Sequence, residues 1–345
     1  MMRQTETTAN LSPTVRAMRS AAAAPRLAKD LAGTSPAPIV LPVCNTAPSA
    51  TSKAATKGMM QGTVARTVNC RGVSLHGGVS TNLTIMPAEA GSGIRFRRSD
   101  LPTQPFTVAD WRVVSPTPLC TTLVMPDANK IATIEHLMAA FWAAGIDNAE
   151  VLVDGPELPI LDGSAAPYLQ LLDDAGRASQ NSSRRLLKVL QPVRVQDGDR
   201  WVELLPFDGF AIDLEIVFAN PVIGRQHYYF DGSVGQFTDA LSAARTFGFL
   251  SDVEALRQQG LVRGASTDNS VVVGPDSILN PNGLRFDDEF VRHKVLDCVG
   301  DLMMAGARMQ AQVRAYKSGH AMNYMVVRQL FNTPGAWAWV DAAAS

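Results

Sequence analysis

Glu135 and His136 stand side by side in the segment Thr133-Ile134-Glu135-His136-Leu137, and three more ionisable residues, His293, Asp297 and Asp301, recur at a stride of four much later in the chain. That stride places all three on one stripe of a helix. The residues around them, Phe290, Val291, Val295, Leu296, Cys298, Val299, Leu302 and Met303, are apolar, so this helix is expected to be largely buried. An unpaired charge in a core is costly, and a bound Zn²⁺ or similar ion is the commonest partner for two His and one Asp. A His on a helix as apolar as that of His136 is, taken alone, more often a satisfied core residue. Glu135 beside it shifts the reading, because zinc hydrolases place a carboxylate next to a metal-binding His to activate water. The familiar second His four residues on is absent, since Ala140 stands there. His293 and Asp297 are therefore expected to complete the ligand set of His136. Three protein ligands leave a fourth position for water, which is the catalytic arrangement.

His320 follows Ser318-Gly319 at an expected strand-to-helix turn, where a loop residue can reach a cleft; a helix-cap role is the alternative. His76 lies in a second Gly-rich turn, Leu75-His76-Gly77-Gly78, and spacing assigns it no catalytic role. His227, between Gln226 and Tyr228, is expected on a strand or the surface. The thiol of Cys120, next to Thr121 and Thr122, could approach a metal, but a buried structural cysteine is favoured.

The elements that must position these residues follow a repeated order. Strands are expected over 63–73, 80–86, 94–97 and 120–124. A helix then begins at Thr133 as N-cap, runs through the apolar stretch to Ala144, and stops at Gly145. A strand over 149–153, a loop over 156–164 and a helix ending near Gly176 follow. The second half repeats this: strands over 187–195, 201–205 and 212–218, a helix over 287–305, a strand over 312–316, a Gly loop, and a last helix through Leu330. Asp287, Asp288 and Glu289 fall in the expected first turn of the 287–305 helix, where the dipole favours acids. Element order, not residue identity, carries the repeat. It implies an α+β fold of two similar layered units facing each other around a site between them. The second half has an extra segment, at about 249–280.

A chain of 345 residues with 46% hydrophobic and 18% charged residues suits a globular protein of two ordinary domains. No apolar run approaches the ~18–20 residues needed to span a bilayer. A formal charge of −1 argues against nucleic acid as a partner. Four cysteines without CxxC spacing or disulfide density point to a reducing cytoplasm. Residues 1–60 hold seven Lys/Arg against Glu6 and Asp30, a balance of +5, which leaves −6 for the remainder. Rich in Ala, Thr, Ser and Pro, this stretch is expected to be a disordered extension, with an organelle transit peptide as the alternative.

Several longer segments are together specific. They are Gly72-Val73-Ser74-Leu75-His76-Gly77-Gly78, Thr133-Ile134-Glu135-His136-Leu137, Gly145-Ile146-Asp147-Asn148-Ala149, Pro159-Ile160-Leu161-Asp162-Gly163-Ser164-Ala165, Ala244-Arg245-Thr246-Phe247-Gly248-Phe249, Asp288-Glu289-Phe290-Val291-Arg292-His293-Lys294 and Lys317-Ser318-Gly319-His320-Ala321. In this order they resemble the zinc-dependent UDP-3-O-acyl-N-acetylglucosamine deacetylases of lipid A biosynthesis (the LpxC family), across about residues 61–340.

The resemblance implies one Zn²⁺ held by His136, His293 and Asp297, with Glu135 as general base and His320 as general acid. It implies that Asp301 orients His320, that Thr246 helps hold the oxyanion, and that Lys294 and Phe247 contact the nucleotide-sugar part of the substrate. It further implies domains over 61–184 and 185–340, the second carrying a βαβ insert. Leu250, Val253, Val262 and Val272 of that insert would line a passage for the acyl chain. A cytoplasmic monomer acting on UDP-3-O-acyl-N-acetylglucosamine, the committed step of lipid A formation, is the expected whole. Residues 1–60 have no counterpart in the ordinary bacterial enzyme, and Val262-Arg263-Gly264-Ala265 and Ser270-Val271-Val272 differ in detail from common members, which leaves acyl-chain preference open. Another zinc amidohydrolase acting on a different N-acetylated sugar is the alternative. A non-catalytic binding protein on the same scaffold would be expected to lack Glu135 or a ligand, and none is lacking.

Overall fold

The computed structural model describes residues 60–342, apart from 102, 104, 118 and 127. The expected extension, its targeting alternative and Cys44 thus lie outside the described residues, Met60 excepted. The fold is α+β. In the first half a five-stranded sheet runs in the order Val68–Val73, Ser80–Met86, Ala149–Val153, Ile94–Arg98, Thr107–Val108. Its central strand alternates strictly, burying Ala149, Val151 and Val153, as a strand with one face on a core must. Helix α1 (Glu135–Ala144) and helix α2 (Ala166–Ala175) pack on each other, with α2 against Val68–Val73. Helix α1 is buried from Glu135 to Ala143, the expected fate of a helix apolar all round. Gly145 closes it in the left-handed conformation at φ 72°, which a glycine adopts without a Cβ penalty.

The second half is built on a seven-stranded sheet around Arg308–Tyr316, whose Met309, Ala311, Val313 and Ala315 point into the core. A βαβ insert leaves it: strand Phe247–Phe249, helix α3 (Leu250–Gln258) and strand Val271–Val273, the two strands pairing in parallel. Helix α4 (Glu289–Leu302) covers strands Phe210–Val217 and Arg225–Phe230, and helix α5 (His320–Asn332) covers Val193–Asp197 and Arg200–Leu205. Helix α1 lies against α4, so helices of the two halves meet between the two sheets. Trp142 on α1 reaches Phe210, Phe230 and Phe237 of the second half at ring separations of 5.6–5.8 Å. Most of the buried apolar residues form one cluster running through both halves. Among the described residues no helix is long and apolar enough to cross a membrane.

Several expected boundaries move, each for a local reason. The strand expected over 63–73 breaks at 65–67 into Met60–Val64 and Val68–Val73, which join different sheets. Met60–Val64 pairs with Arg177–Ser183, a strand too polar for periodicity to reveal. The strand expected over 187–195 is cut by Pro192, which has no N–H to give a ladder. Strand Arg225–Phe230 is expected only as one of two settings for His227, and strand Trp337–Asp341 lies outside the expected elements. Thr133 is not the N-cap of α1: Ile134 holds that position without a side-chain bond, and Thr133 is left-handed at φ 59°. Asp287 and Asp288 precede α4, leaving Glu289 as the one acid of its first turn.

Candidate active site

Helix α1 brings Glu135 and His136 to helix α4, where His293, Asp297 and Asp301 line the facing stripe. The approach is close enough to require a glycine, since a Cβ on Gly300 would stand 2.0 Å from the Glu135 carbonyl oxygen. His136, His293 and Asp297 are each 2% exposed, and their candidate ligand atoms all lie within 4.8 Å of one another. His136 Nε2 is 3.5 Å and His293 Nε2 3.3 Å from Asp297 Oδ1. That Oδ1 and His136 Nδ1 are buried without a hydrogen-bond partner. Buried polar atoms are normally satisfied; a divalent cation accepting the lone pairs of Asp297 Oδ1 and of the two Nε2 atoms that face it would supply the missing partner.

Protonation states suit the same purpose. Burial pushes His293 down to about 4, against the pull of Asp297, leaving a neutral imidazole. Its Nδ1–H donates to Ala244 O at 3.0 Å, which frees the Nε2 lone pair toward Asp297 and His136. Burial raises Asp297, but His293, Lys294 and His320 outweigh it and hold the carboxyl well below the usual range. Lys294, implied by the resemblance to contact the nucleotide sugar, places its ammonium on Asp297 Oδ2 at 2.6 Å.

Beside this cluster lies an acid–base pair. Glu135 Oε2 accepts from Thr121 N at 2.9 Å, and Oε1 stands 4.0 Å from His320 Nε2. Burial raises the Glu135 carboxyl, with His320 and His136 opposing. His320 is the first residue of α5, and its Nδ1 is 2.9 Å from Asp301 Oδ2, leaving Nε2 toward Glu135 and Asp297. Asp301 also accepts from Thr121 Oγ1 at 2.5 Å and Asn323 Nδ2 at 2.9 Å. Burial alone would lower His320; Asp301, then Asp297 and Glu135, raise it to about 10, with Lys294 opposing. Three buried carboxylates therefore face one ammonium and one imidazolium, and a divalent cation would offset the remaining negative charge.

Thr246 and Phe247 are set by a neighbouring brace. Arg245 grips Glu289 in a buried two-pronged pair, Nε to Oε1 at 2.8 Å and Nη2 to Oε2 at 3.1 Å. Burial raises Glu289, but Arg245 and the Arg285 N–H hold it below its ordinary value. The brace fixes the loop that offers Ala244 O to His293, while Thr246 N donates to Gly163 O at 2.8 Å. Phe247 stands 6.3 Å from the His293 ring and 5.0 Å from Phe290. Arg245→Met would leave the Glu289 charge buried and unpaired, so we expect a loss of about 3–5 kcal/mol in urea unfolding. A loss below ~1 kcal/mol would mean that the brace is not what anchors the loop.

The remaining expected residues fall out as follows. Leu250 is exposed and Val253, Val262 and Val272 are half-buried, all on the insert, whose link to the His/Asp cluster is Phe247. Cys120 is buried beside the Thr117 and Thr122 hydroxyls, and burial followed by Glu135 raises its thiol, so it stays protonated. His227 lies on a strand with Nε2 2.5 Å from Asp213. Sequence reasoning passed over Thr121, Asn323, Gly300 and the Ala244 carbonyl. Asn323 was findable, three residues beyond His320 on one helix face; nothing marked Thr121.

Residues 61–332 match the family model of UDP-3-O-acyl N-acetylglycosamine deacetylase (LpxC). Among curated relatives, UDP-3-O-acyl-N-acetylglucosamine deacetylase of Vibrio vulnificus (strain YJ016) is 46% identical over 281 residues, 81% of this chain and 92% of the relative. The protein of the same name in Pseudoalteromonas translucida (strain TAC 125) is 45% identical over 282 residues, 81% and 93% of the two chains. That of Shewanella baltica (strain OS155 / ATCC BAA-1091) is 46% identical over 285 residues, 82% and 93%. With a family model spanning most of its length and relatives this similar along nearly their whole chains, this protein belongs to the LpxC deacetylase family.

Proposed function

We propose that this chain removes the N-acetyl group from UDP-3-O-(3-hydroxyacyl)-N-acetylglucosamine, in the cytoplasm, as a zinc-dependent monomer of two domains, 61–184 and 185–340. The observation carrying the proposal is the buried His136/His293/Asp297 cluster with Glu135 and the His320–Asp301 pair against it. Zinc bound by those three residues would polarise the acetamide carbonyl and make a bound water reactive near neutral pH. Glu135 takes a proton from the water that attacks the carbonyl carbon. The Thr246 hydroxyl donates to the oxygen where negative charge gathers. His320 Nε2 then gives a proton to the nitrogen as the C–N bond breaks, yielding acetate and a free 2-amino group. Asp301 holds His320 charged and turned, while Lys294 and Phe247 flank the nucleotide-sugar part of the substrate.

The test is acetate release from the acylated UDP sugar by the purified chain, with metal content measured alongside. We expect a chelator to abolish turnover and zinc to restore it. Equal turnover of unrelated N-acetylated sugars would instead favour the other reading, a general zinc amidohydrolase.

The pH dependence has a definite sign. His320 is raised above its ordinary value, so its proton is held through neutral pH and leaves as pH rises through about 10, while the stability tied to that proton is full below the ordinary histidine value and fades across the interval up to about 10. Asp301→Asn removes the largest upward pull and leaves burial unopposed by it. The alkaline limb of the kcat profile should move down by ~1–3 units. An unmoved limb would show that His320 is not the acid.

A further inference from the structure

Glu157 belongs to neither the ligand set nor the acid–base pair, yet it is 4% exposed and its carboxylate joins two segments, the 76–77 turn and the residue before α1's N-cap. Oε1 accepts from His76 N at 2.8 Å and from Thr133 Oγ1 at 3.1 Å, and Oε2 accepts from Gly77 N at 2.8 Å. Thr133 is 3% exposed and left-handed at φ 59°, a conformation that β-branched residues rarely adopt and keep only when the surroundings impose it. The segment before it is clamped by backbone bonds on both sides of Glu157, Ala132 N to Pro156 O at 2.9 Å and Leu158 N to Ala132 O at 3.1 Å. The chain therefore arrives at Thr133 in a fixed direction and leaves it in another. Two residues later stands Glu135, at the start of a helix whose N-cap, Ile134, supplies no side-chain bond. The entry into α1 is thus held from outside the helix, by the backbone bonds at Ala132, by Ile134 N on Thr121 O at 3.4 Å and by the Thr133 hydroxyl on Glu157.

We propose that Glu157, acting through Thr133, is a positioning residue that aims Glu135 at the reacting centre. Resting on the deacetylase reading above, this assigns a role to a carboxylate that touches neither metal ligands nor substrate. The Glu135 carboxylate has one hydrogen bond of its own, from Thr121 N, so a small rotation of α1's first turn would carry it off line. His136, one residue further on, is buried with its ring 5.0 Å from that of His293 on α4. Misplacements of about 1 Å can cost ~10²-fold in rate. Glu157 also holds the 76–77 turn, and Arg263 N and Gly264 N of the insert bond to the His76 and Leu75 carbonyls at 3.1 and 3.0 Å. The same carboxylate therefore lies between the insert and the start of α1.

Three variants test this: Thr133→Val, which keeps the shape and loses the hydroxyl; Thr133→Gly, which relieves the left-handed strain and loses the hydroxyl; and Thr133→Ser, which keeps it. Valine and glycine should each lower kcat by ~10–10²-fold with KM, metal stoichiometry and melting temperature little changed, and serine should recover most of the loss. Glycine removes the objection that valine merely strains the fold. Undiminished kcat in both valine and glycine variants overturns the inference, as does a loss that simply follows loss of metal or of folded protein. Wild-type turnover is read in the same assay: its absence sinks the deacetylase reading and this inference with it, whereas its presence with unaffected variants sinks the inference alone.

Discussion

His136→Ala and Asp297→Ala should each lose bound zinc and nearly all turnover, whereas Glu135→Ala should keep the metal and lose the turnover. Two ligands cannot hold an ion at a site whose third side is empty, and these side chains are too deeply buried for water to replace them freely. Asp297→Ala does further damage, because the Lys294 ammonium then has no counter-ion at 2.6 Å. It should therefore unfold earlier than His136→Ala in urea. Glu135 differs in kind. Its Oε2 is engaged by Thr121 N and it is not among the three clustered ligands, so its removal takes away the proton acceptor and one buried hydrogen bond but no metal ligand, a loss of ~10²–10⁴-fold in turnover. Metal analysis beside single-turnover acetate release separates the three variants. Stoichiometric zinc in Asp297→Ala would remove it from the ligand set, and a Glu135→Ala enzyme within tenfold of wild type would point to another base.

What the sequence disclosed and what it hid divide along physical lines. Patterns carried on one continuous helix were readable: the stride from His293 to Asp301 needs only 3.6 residues per turn, and Glu135–His136 announces itself by adjacency. Helix α1 and Gly145 followed from apolarity and backbone conformation, both local. The insert's βαβ order followed from the resemblance, and the parallel pairing of Phe247–Phe249 with Val271–Val273 agrees with it. The losses were non-local. Thr121 meets Asp301 across 180 residues, and no local pattern foretells that meeting. Arg177–Ser183 is a strand because Met60–Val64 offers it an edge, not because Arg-Ala-Ser-Gln-Asn-Ser-Ser favours one. Thr133 looked like an N-cap because its residue type suits caps; its hydroxyl is instead used by Glu157, 24 residues further on. Propensity reads what a residue can do alone, and the site is built from what distant residues do together.

UDP-N-acetylglucosamine without its 3-O-acyl group should be turned over worse than the acylated sugar by orders of magnitude in kcat/KM. Val271 and Val273 of the insert are buried in the core that runs through both halves, so burial in the fold accounts for those two residues. Leu250, at 49% exposed, and the half-buried Val253, Val262 and Val272 are left over, apolar and open to a ligand. Val272 lies opposite Gly248 on the strand pair that begins with Phe247, and Phe247 reaches the His293 ring. An acyl chain lying along this strip would run from the metal cluster onto the insert. Each methylene it buries is worth roughly 0.8 kcal/mol, so several carbons together could supply most of the binding energy. Part of that energy, spent on seating the sugar, would surface in kcat as well as KM. Val272→Trp is a cleaner obstruction than a change at Val262, whose backbone is already left-handed at φ 49°. It should depress long-chain substrates far more than short ones while leaving zinc content intact. Equal turnover of acylated and non-acylated sugars would defeat the acyl-passage assignment and move the activity toward a general sugar deacetylase, with the metal cluster and Glu135 retaining the roles proposed above.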